Sequence, residues 1–148
     1  LRIAREVPTV VAVKEASGSL NQMMEIIHEV NKNGPKDFVV LAGDDAIVVP
    51  LITLGGGGCI SVVCNEVPKL FSDMIHLALE GNFTKAKNLH YKILDLMNIN
   101  FIESNPIPVK AALACMGLIT NSLRLPLVPL EDKNNAPLQK VLKDLKLI

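Results

Sequence analysis

The chain has 148 residues, the length of one ordinary domain, and is 49% hydrophobic. Its 15 Lys and Arg balance 15 Asp and Glu, which excludes disorder driven by high net charge and low hydrophobicity and gives no support for nucleic-acid binding. No apolar run reaches the roughly 18 residues that a membrane-spanning helix needs, so no contact with a membrane is predicted.

The start of the chain and its cysteines carry further information. The first six residues, L-R-I-A-R-E, lack an initiator methionine and read as the interior of a helix, so we expect a piece of a longer protein. The three cysteines, Cys59, Cys64 and Cys115, are too few and too irregularly spaced for a disulfide scaffold. They predict a reducing, cytoplasmic setting.

The first part of the chain alternates apolar, β-branched runs with helical patterns. This order predicts a parallel sheet with right-handed crossovers. The predicted elements are strands at 7–13, 38–42 and 59–63 and helices at 20–31 and 45–54.

From Pro68 onward the pattern is helical. The predicted helices cover 68–80, 82–96, 108–119 and 136–145. Gly81 separates the first two, so we predict a domain boundary there, with an α/β region at 1–81 and a helical domain at 82–148.

Lys14 is the residue most out of place, because it ends an apolar strand, V-V-A-V-K. The carboxyl ends of buried parallel strands are where α/β folds keep active sites. Partial burial would lower the pKa of this lysine, and its free amine could then form a Schiff base with a carbonyl. The alternative is an ordinary strand-end lysine that reaches solvent or pairs with Glu15.

Gly43, Asp44 and Asp45 follow the second predicted strand. The two carboxylates are typical helix caps, and Gly43 could allow a ligand to approach the backbone closely. The glycine run at 55–58 lacks the spacing of a phosphate-binding loop and predicts a tight turn from helix to strand. No spacing of His or Cys predicts a metal site.

Four motifs occur in the order and near the spacing of one known family. They are V-A-V-K-E-A-S-G at 11–18, A-G-D-D-A at 42–46, L-G-G at 54–56 running into G-C-I-S-V at 58–62, and N-P-I-P-V-K at 105–110. With these motifs the chain resembles the C-terminal half of the dihydrodipicolinate synthase family of pyruvate-dependent class I aldolases. The resemblance covers essentially the whole chain.

The resemblance implies a fold and a reaction. The fold would be the last three βα units of a (β/α)8 TIM barrel followed by a helical domain. Lys14 would form the Schiff base with pyruvate, with Gly43 and Ile60 lining the pyruvate pocket. The resulting enamine would attack aspartate-4-semialdehyde, in lysine (diaminopimelate) biosynthesis. The lysine would carry the covalent chemistry, so neither a metal nor another cofactor is expected.

The resemblance also implies partners and leaves alternatives open. A complete barrel needs about 200 residues or more, so the N-terminal half would be the main partner, and the chain alone should be inactive. The family's catalytic tyrosine has no counterpart, because the only tyrosine is Tyr91. The family forms tetramers from two tight dimers, to which Leu51 and Leu54 would contribute. The alternatives are another pyruvate-dependent aldolase, of the N-acetylneuraminate lyase or keto-sugar-acid type, or a non-catalytic interaction module.

Overall fold

The computed structural model describes residues 1–148, and the predicted alternation of strands and helices is present at the start of the chain. The elements are α1 (Arg2–Glu6), β1 (Ala12–Glu15), α2 (Leu20–Asn33), β2 (Val39–Ala42), a 3-10 turn (Asp45–Ile47), α3 (Val48–Thr53), β3 (Gly58–Cys59), a second 3-10 turn (Val63–Asn65), α4 (Pro68–Leu79), α5 (Phe83–Ile99), α6 (Ile107–Cys115) and α7 (Asp132–Asp144). None of the helices is both long enough and apolar enough to cross a membrane.

All three strands differ from the prediction at their ends, the second only because it begins at Val39 instead of residue 38. The first begins at Ala12 instead of residue 7, because the preceding residues form a turn in which the Val10 amide donates to the Val7 carbonyl at 2.9 Å. The third is only two residues long, since the neighbouring β2 ends at Ala42 and leaves no further partner. The predicted strand at 59–63 is therefore too long at its carboxyl end.

The chain divides into two compact units. The first comprises residues 1–61 and 73–87, and the second comprises residues 62–72 and 88–148. Gly81, with φ +78°, separates α4 from α5 as a turn residue. The assignment of 1–81 and 82–148 to a barrel portion and a helical domain stays a prediction.

In the first unit the sheet order is β1-β2-β3, and both pairs are parallel. Side chains alternate between the two faces of a strand, and the register pairs Lys14 with Leu41 and Glu15 with Ala42. One face therefore carries Glu15, Val40 and Ala42, all buried, and α2 and α3 pack against β2. We call the opposite face, which carries Ala12, Lys14, Val39, Leu41 and Gly58, the open face.

The core of the first unit lies between the sheet and its helices. Met23, Val48 and Leu51 are fully buried there. The run of glycines at 55–58 forms the predicted tight turn, and a Cβ at Gly56 would lie 2.5 Å from Cγ of Leu51. Leu51 is thus a core residue, and its predicted place on a contact surface between subunits is wrong, whereas Leu54 is 41% exposed.

The second unit has a helical core. Ile93, Leu96 and Met97 of α5 and Leu138 and Leu142 of α7 are at most 1% exposed. Glu103 joins the segment before α6 to the start of α7, because its Oε1 accepts hydrogen bonds from the Glu131 amide at 2.9 Å and from Nδ2 of Asn134 at 2.7 Å.

Candidate active site

The three residues predicted for the site lie at the carboxyl ends of three adjacent strands. Lys14 is the next-to-last residue of β1, Gly43 follows β2 and Ile60 follows β3. Continuing the alternation by one residue puts Gly43 and Ile60 on the open face with Lys14. The backbone ladder extends to both, since the Gly43 amide donates to the Glu15 carbonyl at 2.7 Å and the Ile60 amide to the Ala42 carbonyl at 2.8 Å.

Lys14 runs directly across Gly43. A Cβ built on Gly43 would lie 2.9 Å from Cε of Lys14, 2.5 Å from Cβ of Ala16 and 2.9 Å from Cα of Ala16. These distances leave no room for a side chain, so glycine is required by close packing on both neighbours. The positions of Gly43 and Lys14 are therefore coupled.

The lysine side chain is exposed in this chain, and its amine makes no hydrogen bond or ion pair. The partial burial predicted from the apolar strand is absent. The suggested ion pair with Glu15 is also absent, because Glu15 lies on the opposite, buried face. The amine of Lys14 is therefore accessible, and it could act as a nucleophile toward a carbonyl group.

The capping interpretation of the aspartates holds for Asp44. Its Oδ1 accepts a hydrogen bond from the Ala46 amide at 2.8 Å, which caps the 3-10 turn. Asp45 is only 1% exposed, and the thiol of Cys59 donates to its Oδ1 at 3.4 Å. This second carboxylate therefore links the β2 end to β3, a role that the capping pattern did not predict.

Glu15, next to Lys14 in the chain, carries a buried carboxylate. The sequence analysis considered it only as an ion-pair partner of the lysine. Oε1 of Glu15 accepts hydrogen bonds from the Ser17 amide at 3.0 Å and from Nε2 of Gln22 at 2.7 Å, while Oε2 is buried without a partner. Strand alternation could have identified it, since a charged residue next to Lys14 must point into the helix layer.

The outer edge of β1 borders an apolar groove. Its volume is about 360 Å³, and its lining is almost entirely apolar. The lining includes Leu1, Ile3, Val10, Ala12 and Phe38. Both β1 and β3 pair only with β2, so the sheet has two open edges.

Two further residues, Tyr91 and Lys110, belong to the later helices α5 and α6. Tyr91 belongs to the second unit, is 67% exposed and makes an edge-to-face contact with His90. Lys110, also of the second unit, donates its amine to the Ser122 carbonyl. In this chain the side chains of His, Cys, Asp and Glu form no group of three or more that could hold a metal ion.

Comparison with known proteins gives consistent results. The model of the dihydrodipicolinate synthetase family matches residues 2–145. The curated 4-hydroxy-tetrahydrodipicolinate synthase of Koribacter versatilis is 48% identical over 141 residues, which cover 95% of this chain and 45% of that protein. The chain therefore spans about half the length of the curated relatives it matches.

Solved structures match the whole chain equally well. A dihydrodipicolinate synthase crystal structure superposes with a TM-score of 0.92 at 48% identity, covering 99% of this chain and 49% of that one. The pyruvate complex of the chloride-inhibited enzyme from Acinetobacter baumannii gives a TM-score of 0.91 at 41% identity, with coverage of 99% and 49%. The predicted fold class, the C-terminal part of a TIM barrel with its helical domain, is confirmed.

Proposed function

Because the chain belongs to the dihydrodipicolinate synthetase family, we propose that it supplies the Schiff-base lysine of an enzyme that condenses pyruvate with aspartate-4-semialdehyde. The product would be 4-hydroxy-tetrahydrodipicolinate, in the route to diaminopimelate and lysine. The observation that carries the proposal is the packing of Lys14 across Gly43 at the carboxyl ends of parallel strands.

The chemistry follows from an amine and a 2-keto acid. The unprotonated amine of Lys14 attacks C2 of pyruvate, and the carbonyl oxygen leaves as water, which gives an imine. Loss of a methyl proton turns the imine into an enamine, whose carbon forms a bond to the aldehyde carbon of the second substrate. The amino group of that substrate then displaces the lysine from the imine carbon, which closes the ring and frees Lys14 for the next turnover.

The geometry supports a small keto acid as the first substrate. Gly43 brings backbone instead of a side chain to the lysine, and Ile60, 49% exposed, offers an apolar wall on the adjacent strand end. Pyruvate has one carboxylate, one carbonyl and one methyl group, so it needs little space and one apolar contact. The pyruvate complex of the Acinetobacter baumannii relative agrees with this choice.

Further residues must come from outside this chain. Proton transfer during imine formation and condensation needs an acid and a base, and the family's catalytic tyrosine has no counterpart among the residues of this chain. We propose that the N-terminal half of the enzyme contributes these groups and packs on the open face and the apolar groove beside β1. In this arrangement the chain alone is inactive.

The choice of the second substrate separates this proposal from its alternatives. By resemblance, the K-E-A-S-G and G-D-D-A motifs favour the synthase over the sialic-acid lyases. The missing counterpart of the family's catalytic tyrosine is the feature that favours a non-catalytic interaction module instead. Assay of the full-length enzyme with pyruvate and each aldehyde distinguishes the three: the synthase consumes aspartate-4-semialdehyde, a lyase uses the sugar aldehyde, and a module uses neither.

We also propose that the complete enzyme is a cytoplasmic homotetramer, a dimer of dimers, in which Leu54 contributes to the weaker contact. Leu54 is exposed at the end of α3, whereas its neighbour Leu51 is fully buried. Leu54→Glu should shift the full-length enzyme from tetramers toward dimers in analytical ultracentrifugation. A tetramer that persists at the same dilution would exclude Leu54 from the contact.

Borohydride trapping tests the Schiff base. The full-length enzyme is treated with pyruvate and borohydride, and the adduct is located by peptide mass mapping. We expect one reduced pyruvyl group on Lys14. An adduct on Lys110, or on any other lysine, would refute the assignment, and treatment without pyruvate is the control.

A further inference from the structure

The residue after the proposed nucleophile is a carboxylate in an unusual environment. Glu15 is 7% exposed, lies at the end of β1 and faces the helix layer, whereas Lys14 is exposed on the open face. Burying a carboxylate costs free energy unless its oxygens are well paired, and Oε2 has no hydrogen-bond partner. Burial of Glu15 therefore lowers the stability of the fold, and packing alone does not explain why a carboxylate occupies this position.

Glu15 makes three hydrogen bonds that meet at the strand end. Its Oε1 holds the Ser17 amide and the Gln22 side chain, which ties β1 to the following turn and to the first turn of α2. Its main-chain carbonyl accepts from the Gly43 amide at 2.7 Å, which ties β1 to β2. One residue thus fixes the ends of two strands and the start of a helix.

These bonds bear on the lysine through Ala16 and Gly43. Ala16 lies between Glu15 and Ser17 in the chain, so holding the Ser17 amide holds Ala16 in place. Ala16 and Cε of Lys14 both pack against the side of Gly43 where a Cβ would stand. A shift in the turn after β1 would therefore move Ala16 and Gly43, and with them the side chain of Lys14.

We propose that Glu15 is a positioning residue that aims the amine of Lys14, a role that rests on the proposed Schiff-base function. Its buried carboxylate keeps the turn after β1 against Gly43, so that the lysine is held in one orientation for attack on the keto acid. Rates of such attacks are sensitive to displacements of about 1 Å, which can cost a factor of roughly 100.

Glu15→Gln in the full-length enzyme is the main test. The measurement is the rate of borohydride-trapped imine formation on Lys14 at increasing pyruvate concentrations, per folded molecule. We expect the rate at saturating pyruvate to fall about tenfold, while the half-saturating concentration stays within about twofold. A wild-type saturating rate in the folded variant overturns the proposal.

Glu103→Gln is a matched control in the second unit, because Oε1 of Glu103 likewise accepts hydrogen bonds from one backbone amide and one side-chain amide. It should lower thermal stability without changing the trapping rate. If Glu103→Gln slows trapping as much as Glu15→Gln does, the effect is one of general stability and the proposal fails.

Gln22→Ala keeps the test decisive if Glu15→Gln does not fold, since it removes one donor and leaves the carboxylate. We expect trapping slowed about threefold, and an unchanged rate overturns the proposal. Wild-type enzyme distinguishes the two levels of inference: failure of the wild type to trap pyruvate on Lys14 refutes the Schiff-base function itself, whereas wild-type trapping with unaffected variants refutes only the role of Glu15.

Discussion

The helical core of the second unit and the open face of the first unit's sheet bury their apolar side chains to different degrees. In the second unit, Ile93, Leu96 and Leu142 are completely buried. In the first, one face of the sheet is covered, but on the open face Val39 is 37% exposed, and Ile60, at the end of the third strand, is 49% exposed. The helical core is thus covered within this chain, while the face that carries the candidate site leaves apolar side chains exposed.

Removing the amine should have the largest effect in this comparison. Lys14→Arg keeps a positive charge on the open face but cannot form an imine with pyruvate. We expect turnover of the full-length enzyme to fall by about 10³-fold or more, because covalent catalysis is lost. Because arginine keeps the positive charge and Lys14 has no partner within this chain, the free energy of unfolding should change by less than about 0.5 kcal/mol. A variant that retains a tenth of the activity contradicts the proposed nucleophile.

Substituting one isoleucine in each unit compares a buried core position with an exposed position at the candidate site. Ile93→Ala opens a cavity in a fully buried site and should lower the free energy of unfolding by about 2–5 kcal/mol, with pyruvate binding unchanged. Ile60→Ala should cost less stability and weaken pyruvate binding. Denaturant unfolding and pyruvate KM, measured on both full-length variants, check the pair. Equal stability costs with equal KM values would remove the distinction between the two environments.

Gly43→Ala tests the close packing at the strand ends. The added Cβ would meet both Ala16 and Lys14 at less than normal contact distance, so one of them must move. We expect a roughly tenfold loss in kcat/KM for pyruvate, from displacement of the lysine. The double variant Ala16→Gly/Gly43→Ala removes one of the clashes and should recover part of the loss. An unaffected kcat/KM in Gly43→Ala would show that the lysine does not depend on this support.

The smallest expected effect is a pH dependence in the second unit. Burial lowers the pKa of His90 below its usual 6.5. Below that pH the unfolded chain binds a proton that the folded chain resists, so stability decreases as pH falls. The effect is small because His90 is only half-buried. His90→Gln should flatten the curve of unfolding free energy between about pH 7 and 5, and an unchanged slope would exclude this histidine.

Sequence patterns predicted the parts of the fold that depend on local order. Helix α2 begins at Leu20 as predicted, because Ser19 caps it, and the strand–helix alternation is clear in the hydrophobic pattern. Strand lengths were less predictable. β3 is two residues long because β2 offers no further partner, and pairing between distant segments leaves no mark in the local sequence.

For the candidate site, the sequence predicted which residues meet at the strand ends but not how they pack there. Family motifs identified Lys14, Gly43 and Ile60, and the register brings them to one edge of the sheet. The contact of Ala16 with Gly43 and the hydrogen bonds of Glu15 depend on three elements meeting, which no spacing along the chain reveals. Leu51 was misassigned for the same reason, since the glycine turn was predicted but its packing against Leu51 was not.

In the proposed enzyme, the open face becomes an active site only when the rest of the barrel covers it. Residues 1–148 are expressed alone and together with a separate N-terminal half, and pyruvate trapped by borohydride on Lys14 is measured in each sample by peptide mass mapping. We expect no adduct above background for the chain alone and about one per chain for the reassembled pair. Equal trapping on Lys14 by the chain alone would contradict the requirement for the covering half.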